Sequence, residues 1–277
     1  AFGATAAAGF TVDSATQITA TSPAGSGTVD VRVTTVGGVS ATSAADEFTY
    51  VAAPTVSSVS PATGPAVGGT SVTITGTNFT GATAVSFGAT AAAGFTVDSA
   101  TQITATSPAG SGTVDVRVTT VGGVSATSAA DEFTYVAAPT VSSVSPATGP
   151  AAGGTSVTIT GTNFSGATAV TFGATAAAGF TVDSATQITA TSPAGSGTVD
   201  VRVTTVGGVS ATSAADEFTY VAAEVSVSAD IGGAVTDGGN NPQGNQTAGS
   251  AVTVTYTVTN SGTGDLTLGT AMSSNVS

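Results

Sequence analysis

The sequence predicts an all-β chain of small two-sheet sandwiches placed in tandem, and three observations predict it. Valine and threonine, which suit a pleated, half-buried surface, are abundant, whereas Leu, Lys, Glu and Gln, which favour helices, are scarce. Short runs alternate apolar and polar residues and are separated at even spacing by Gly and Pro, as in a sandwich. A long stretch also recurs: residues 54–138 return as residues 139–223, a period of 85 residues that suits a domain rather than a solenoid unit.

The two long copies differ at three positions: Val67 against Ala152, Thr80 against Ser165, and Ser86 against Thr171. Residues 1–53 repeat residues 86–138 with Ala1 in place of Ser86. The expected domains are 1–53, the back part of one repeat; 54–138 and 139–223, two whole repeats; and 224–277, the front part of a different β-sandwich module. Both ends are expected to be cut. The N-terminal piece then lacks the first strands of its sandwich and exposes apolar faces and open edges. Near identity of the copies fits selection for number and length, or drift after a young duplication.

Within the copy 54–138 each strand has its own signal. Thr55–Ser60 is the first, and Pro61 with the Gly64-Pro65 pair is expected to break it. Gly68-Gly69 is a turn. Ser71–Thr77 places Val72 and Ile74 on one face. Ala84–Phe87 does so with Val85 and Phe87, Phe95–Asp98 with Phe95 and Val97, and Gln102–Thr106 with Ile103 and Ala105 until Pro108 ends it. Thr113–Val121 is the clearest strand, with Val114, Val116 and Val118 inward and Asp115, Arg117 and Thr119 outward. Gly122-Gly123 is a hairpin signal, Val124–Thr127 returns, and Glu132–Val136 closes the copy with Phe133 and Tyr135. Seven or eight strands in this length suit an immunoglobulin-like sandwich with a Val, Ile and Phe core, without the Cys and Trp marks of antibody domains. A domain of this size holds together without staples.

The pattern V-x-x-V-x-P-x-x-G-P-x-x-G-G-T-x-V-T-I-T-G-x-N-F runs from Val56 to Phe79 and, with Ala152 at one of its open positions, from Val141 to Phe164. Together with the closing F-T-Y at Phe133–Tyr135 it resembles the IPT/TIG family of immunoglobulin-like domains over roughly residues 1–222. The resemblance implies an immunoglobulin-like fold and the settings where that family occurs: bacterial surface proteins, secreted carbohydrate-active enzymes, cell-surface receptors and some transcription factors.

The links between copies are short, Val51-Ala52-Ala53-Pro54 and Val136-Ala137-Ala138-Pro139. Proline also restricts the residue before it, so a semi-rigid, monomeric rod is expected. After Ala223 the pattern changes. Glu224–Asp230 reads as a strand, Gly232 to Gly249 as a loop, Ala251–Asn260 as a strongly alternating strand, and Leu266 with Leu268 as the start of another. The stretch Thr259–Leu268 resembles the opening strands of the Ig-like choice-of-anchor modules of bacterial surface proteins.

Charge and composition exclude several classes. The net charge is −13 with three basic residues, Arg32, Arg117 and Arg202. Binding to nucleic acid draws on basic surface that displaces counterions, so no nucleic-acid partner is expected. An anionic membrane surface repels this chain too, and no apolar run reaches the ~18 residues of a membrane span. There is no Cys and no His, which removes disulfide scaffolds, thiolate zinc sites and histidine-based nucleophile systems.

Candidate chemistry is sparse. Asp131 and Glu132, with Asp216 and Glu217 in the next copy, precede the closing strand, where a calcium ion between domains is one reading and a solvated loop the plainer one. Calcium takes six to eight oxygens, and no D-x-D-x-D spacing occurs. Asp230, Asp237, Asn240 and Asn241 invite the same pair of readings. Paired carboxylates alone can run glycoside hydrolysis, but here the same acids recur in every copy. No catalytic or cofactor-binding residue is therefore assigned, no cofactor is expected, and the segment is expected not to be an enzyme. Sugar rings stack on exposed aromatics. There is no Trp; Tyr50, Tyr135, Tyr220 and Tyr256 offer little, and Phe79 and Phe164 are expected in the core. The N-x-[ST] sequons at Asn78, Asn163, Asn245 and Asn275 are expected to be chance matches or part of the family pattern. Each Arg lies two residues after Asp30, Asp115 or Asp200, so a weak surface ion pair is expected.

The function expected is a non-catalytic structural and adhesive stalk of a bacterial cell-surface or secreted protein. Its Ig-like domains act as semi-rigid spacers and as a surface for an unidentified extracellular protein or glycan. Accessory spacers of a secreted polysaccharide-active enzyme are the alternative, and a receptor ectodomain is a third reading.

Overall fold

The computed structural model describes residues 1–222 and three further strands, Val225–Ala229, Gly233–Val235 and Tyr256–Asn260. It divides into two compact units, Ala1–Val136 and Ala137–Ser277. All of the secondary structure described is β.

In the first unit, residues 55–136 form two facing sheets. One has four strands in the order Gly94–Ser99, Gln102–Thr106, Ser71–Thr77, Thr55–Ser60. The other runs Thr90–Ala91, Ala84–Phe87, Gly112–Thr120, Glu132–Val136, Thr63–Pro65, with Gly123–Val124 folded back on Gly112–Thr120. Alternation in the sequence decides which side chains meet between the sheets. Val72, Ile74 and Ile103 from the first sheet, and Val116, Val118 and Phe133 from the second, are completely buried. Full burial of one such side chain contributes roughly 1.5–3 kcal/mol. Phe133 stacks edge-on against both Phe87 and Tyr135, at ring distances of 5.3 and 5.1 Å. The same two sheets recur over residues 140–221 of the second unit around Val157, Ile159, Ile188, Val201, Val203 and Phe218.

The expected strands are present, and the structure adds detail that differs from the expectation. Gly64-Pro65 does not merely break the first strand. Thr63–Pro65 runs parallel to Thr134–Val136, so the chain crosses here from one sheet to the other. Proline, which lacks an N–H, is tolerated there because this is an edge strand. The Ser60–Pro61 peptide bond at the crossing is cis. With Thr90–Ala91 also paired, the copy has ten strands instead of seven or eight. The return strand is short, Gly123–Val124, because its next residue, Ser125, turns inward and caps the Val118 N–H with its hydroxyl at 3.1 Å. Phe95 does not join the core; it is exposed at the sheet edge while Val97 is half-buried.

Residues 1–53 form three small sheets: Gly9–Ser14 with Gln17–Thr21, Gly27–Asp30 with Glu47–Tyr50, and Thr34–Thr35 with Gly38–Val39. In the second unit, Val225–Ala229 pairs with Tyr256–Asn260 and also with Gly233–Val235. The stretch Gly232–Gly249, read as a loop, thus contains a strand. The expected strand start at Leu266 and Leu268 lies outside the described residues.

Candidate functional site: the joints between copies

The link that enters each copy is held by the copy it enters. Pro54 is buried and opens the strand Thr55–Ser60. The strand Ser71–Thr77, which pairs with it, ends at Asn78. There φ is +61°, a left-handed conformation that asparagine adopts more readily than other non-glycine residues. The turn aims the asparagine amide back at the link, where Nδ2 donates to the Ala53 carbonyl at 3.0 Å. The next residue, Phe79, is completely buried, and its N–H donates to the Ala100 carbonyl at 3.0 Å. The turn is therefore pinned on both sides. Asn163 repeats the arrangement, with φ of +59° and a 3.0 Å bond to the Ala138 carbonyl.

In the first unit a second element closes on the same link. The hairpin between Gly112–Thr120 and Gly123–Val124 brings Gly122 against the backbone of Val51 and Ala52. A Cβ at Gly122 would collide with the Ala52 carbonyl and stand 2.8 Å from the Val51 carbonyl oxygen. Glycine is needed at this position because another backbone passes through the space a side chain would occupy. The sequence marks Asn78 and Asn163 as sequons and as part of a motif, yet not as latches. The legible signal was a residue that tolerates the left-handed region, placed between an alternating strand and a buried Phe.

The carboxylates singled out in the sequence are not brought together. Asp131 is fully buried, and its Oδ1 accepts the Ser128 N–H at 2.8 Å to close the turn Ser128–Asp131; Oδ2 has no protein partner. Asp216 does the same with Ser213 at 2.9 Å. Glu132 and Glu217 are exposed and stand opposite Asp115 and Asp200 in the ladder, where like charges oppose pairing. Asp131 turns inward at the bend before the strand, whereas Glu132 opens the strand with its side chain exposed, so the two part despite being adjacent. Among the described residues no group of three or more Asp or Glu side chains is placed to hold a metal ion. Asp230, Asp237, Asn240 and Asn241 lie outside the described residues, as do Asn245 and Asn275.

The aromatics and arginines are structural. Phe79 and Phe164 are completely buried. Tyr135 and Tyr220 are buried beside Gly110 and Gly195, with their hydroxyls unpartnered, and burial raises both phenols above their ordinary value. The expected Arg–Asp ion pair does not form among the described residues. Arg117 instead donates Nε and Nη2 to the Ser125 carbonyl at 3.0 and 2.8 Å, and Arg202 does so to Ser210 at the same distances. That fork takes a backbone acceptor left free by the short return strand. Near the N-terminus, the hydroxyls of Thr19 and Thr11 donate to Asp13 and hold its carboxyl below the usual range. Among the described residues no helix is long and apolar enough to cross a membrane.

A family model described as "IPT/TIG domain" matches residues 54–135 and 139–220. No curated protein matches the chain. Solved structures with partial similarity include the extracellular region of plexin A4, at 25% identity with a TM-score of 0.39. The match covers 60% of this chain and 18% of plexin A4. The protein SGBP-B from a xyloglucan utilization locus in Bacteroides uniformis is similar at 28% identity and a TM-score of 0.27, over 57% of this chain and 48% of that one. The Escherichia coli adhesin FdeC is similar at 18% identity and a TM-score of 0.25, over 65% and 68%. The chain thus spans less than a fifth of the plexin and about half of the Bacteroides protein.

Proposed function

The chain belongs to the IPT/TIG domain family, and on that premise we propose that it is a non-catalytic structural and adhesive stalk segment. It works at a cell surface or outside the cell, where its immunoglobulin-like domains set distance for an interaction with an extracellular protein or glycan. We place the domains at 1–53, 54–138, 139–223 and 224–277, and the working state is a monomer with semi-rigid joints.

The observation that carries this reading is the repeated latch. In two joints of the same chain an asparagine held in the left-handed region donates to the carbonyl of the alanine just before the linking proline. A loose tether has no use for that geometry, because a flexible link needs only composition. The latch ties the alanine before the linking proline to the copy that it enters. The three differences between the complete copies fall at exposed or half-buried positions, so both copies keep the same core and the same latch. Repetition of one solution suits a part whose output is length.

Small-angle scattering from the full chain tests the reading. The expected result is a monomer whose longest dimension clearly exceeds that of one sandwich. A compact globule, or a stable oligomer at working concentration, overturns it.

A further inference from the structure

In each complete copy the chain enters and leaves at opposite ends of one strand. The link residue Ala52 passes against Gly122, just beyond the far end of Gly112–Thr120, whereas Tyr135, next to the exit, pairs with Gly112 at its near end. A strand of nine residues sets these ends roughly 27 Å apart. The second copy repeats this: a Cβ at Gly208 would meet Ala138, and Gly197 pairs with Tyr220. A pull on the chain therefore runs along the strands. Between entry and exit stands the short strand Thr63–Pro65, parallel to Thr134–Val136. The Thr134 N–H donates to the Ala62 carbonyl and the Ala66 N–H to the Val136 carbonyl, both at 2.9 Å, one at each end of the pair. Gly64 seats the segment flush, since a Cβ there would collide with the Thr70 hydroxyl and stand 2.8 Å from the Phe133 ring. In the second copy Thr148–Pro150 pairs with Thr219–Val221 in the same way, bounded by Thr219 to Ala147 at 2.9 Å and Ala151 to Val221 at 3.1 Å.

We propose a further function for each complete copy: this parallel pair is a clamp that resists tension along the chain, so that the copy stays folded when it is pulled from both sides. The proposal rests on the stalk reading, because a spacer between two attached bodies is the part that is stretched. One strand of the pair is joined to the entry and the other to the exit, and they run in the same direction. Tension then slides one strand along the other, and every bond between them strains at once. An antiparallel hairpin pulled by its two free ends opens one bond after another instead. Forced unfolding is governed by the barrier to unfolding and not by equilibrium stability, and the clamp raises that barrier for one direction of pull.

The test stretches single molecules of the full chain in optical tweezers and changes only where one handle is attached. The chain has no cysteine, so a lone Cys takes that handle, with the other at the C-terminus. Ala62 and Val67 are exposed and lie before and after Thr63–Pro65. From Ala62→Cys the pull shears the pair. From Val67→Cys it peels the pair from the Val136 end. Release of a complete copy adds roughly 25 nm of chain, and the second copy, pulled by its own ends in both tethers, is the internal reference. With Ala62→Cys the two copies should rupture at the same force, whereas with Val67→Cys the first copy should rupture at a force at least about twofold lower. Ala66→Pro removes the bond to Val136 at the second position of a turn closed by the Gly68 N–H to the Pro65 carbonyl at 2.9 Å, a place that suits proline. Added to Ala62→Cys, it should weaken the first copy and spare the second. Equal forces from both handles overturn the proposal, as does Ala66→Pro at the parent force. If Ala66→Pro leaves no first-copy event, the comparison of handles, which removes no bond, decides alone. A compact globule in scattering defeats the stalk reading, whereas an extended chain whose first copy ruptures equally from both handles defeats the clamp alone.

Discussion

Tyr135 and Tyr220 show how a single residue can be retained for its ring while its polar end stands at a loss. Each ring packs edge-on against Phe133 or Phe218, and each hydroxyl is buried without a partner. An unpaired buried hydroxyl disfavours the fold. Tyr135→Phe with Tyr220→Phe is therefore expected to leave the folding stability unchanged or to raise it by up to about 1 kcal/mol per site. The same burial raises the phenol pKa above 10.0 in both copies. With the folded value raised, the contribution to stability is fully present below pH 10 and is lost as the pH climbs through the folded pKa. Chemical denaturation across that window should show stability falling above pH 10, and the double Phe variant should lack that part of the fall. An early loss that survives the double substitution would count against this account. Asp131 illustrates the limit of reading residue types alone. The sequence marks it as an acid near a joint, but its Oδ1 is committed to the Ser128 N–H. That commitment depends on a turn whose closure no local pattern announces.

At the scale of the strand, legibility follows periodicity. Ser71–Thr77 and Gln102–Thr106 were readable because alternation marks a half-buried strand. Thr63–Pro65 was not, since its three residues include a Gly and a Pro, both signals of a break, and it is a strand only by virtue of the distant Thr134–Val136. The glycine within Ser71–Thr77 makes a sharper point. A Cβ at Gly76 would fall on the Thr55 carbonyl oxygen of the neighbouring strand and lie 2.6 Å from the Phe79 ring. Gly76→Ala should therefore part the ladder between Thr55–Ser60 and Ser71–Thr77 or displace Phe79, at a cost of about 2–3 kcal/mol. Calorimetry of the single variant checks this, with Gly94→Ala, where a Cβ meets nothing, as the control. Equal melting temperatures for the two variants would contradict the packing described.

For the whole molecule, the repeat and the fold were plain from the sequence because one apolar pattern returns after 85 residues. The joint was only half legible. Its shortness and its proline could be read, but the Asn78 latch joins residues 25 positions apart, and such a contact exists only once two strands have paired. The central proposal is that the latch stiffens the joint, and distances across a joint test that proposal most directly. The chain contains no cysteine, so Val67→Cys and Ala152→Cys, equivalent exposed sites of the two complete copies, can carry nitroxides without further change. Double electron–electron resonance between them should give one narrow distance distribution, and Asn163→Ala, which removes the bond to Ala138, should broaden it. A broad distribution with Asn163 intact, or a width that Asn163→Ala leaves unchanged, would contradict the account.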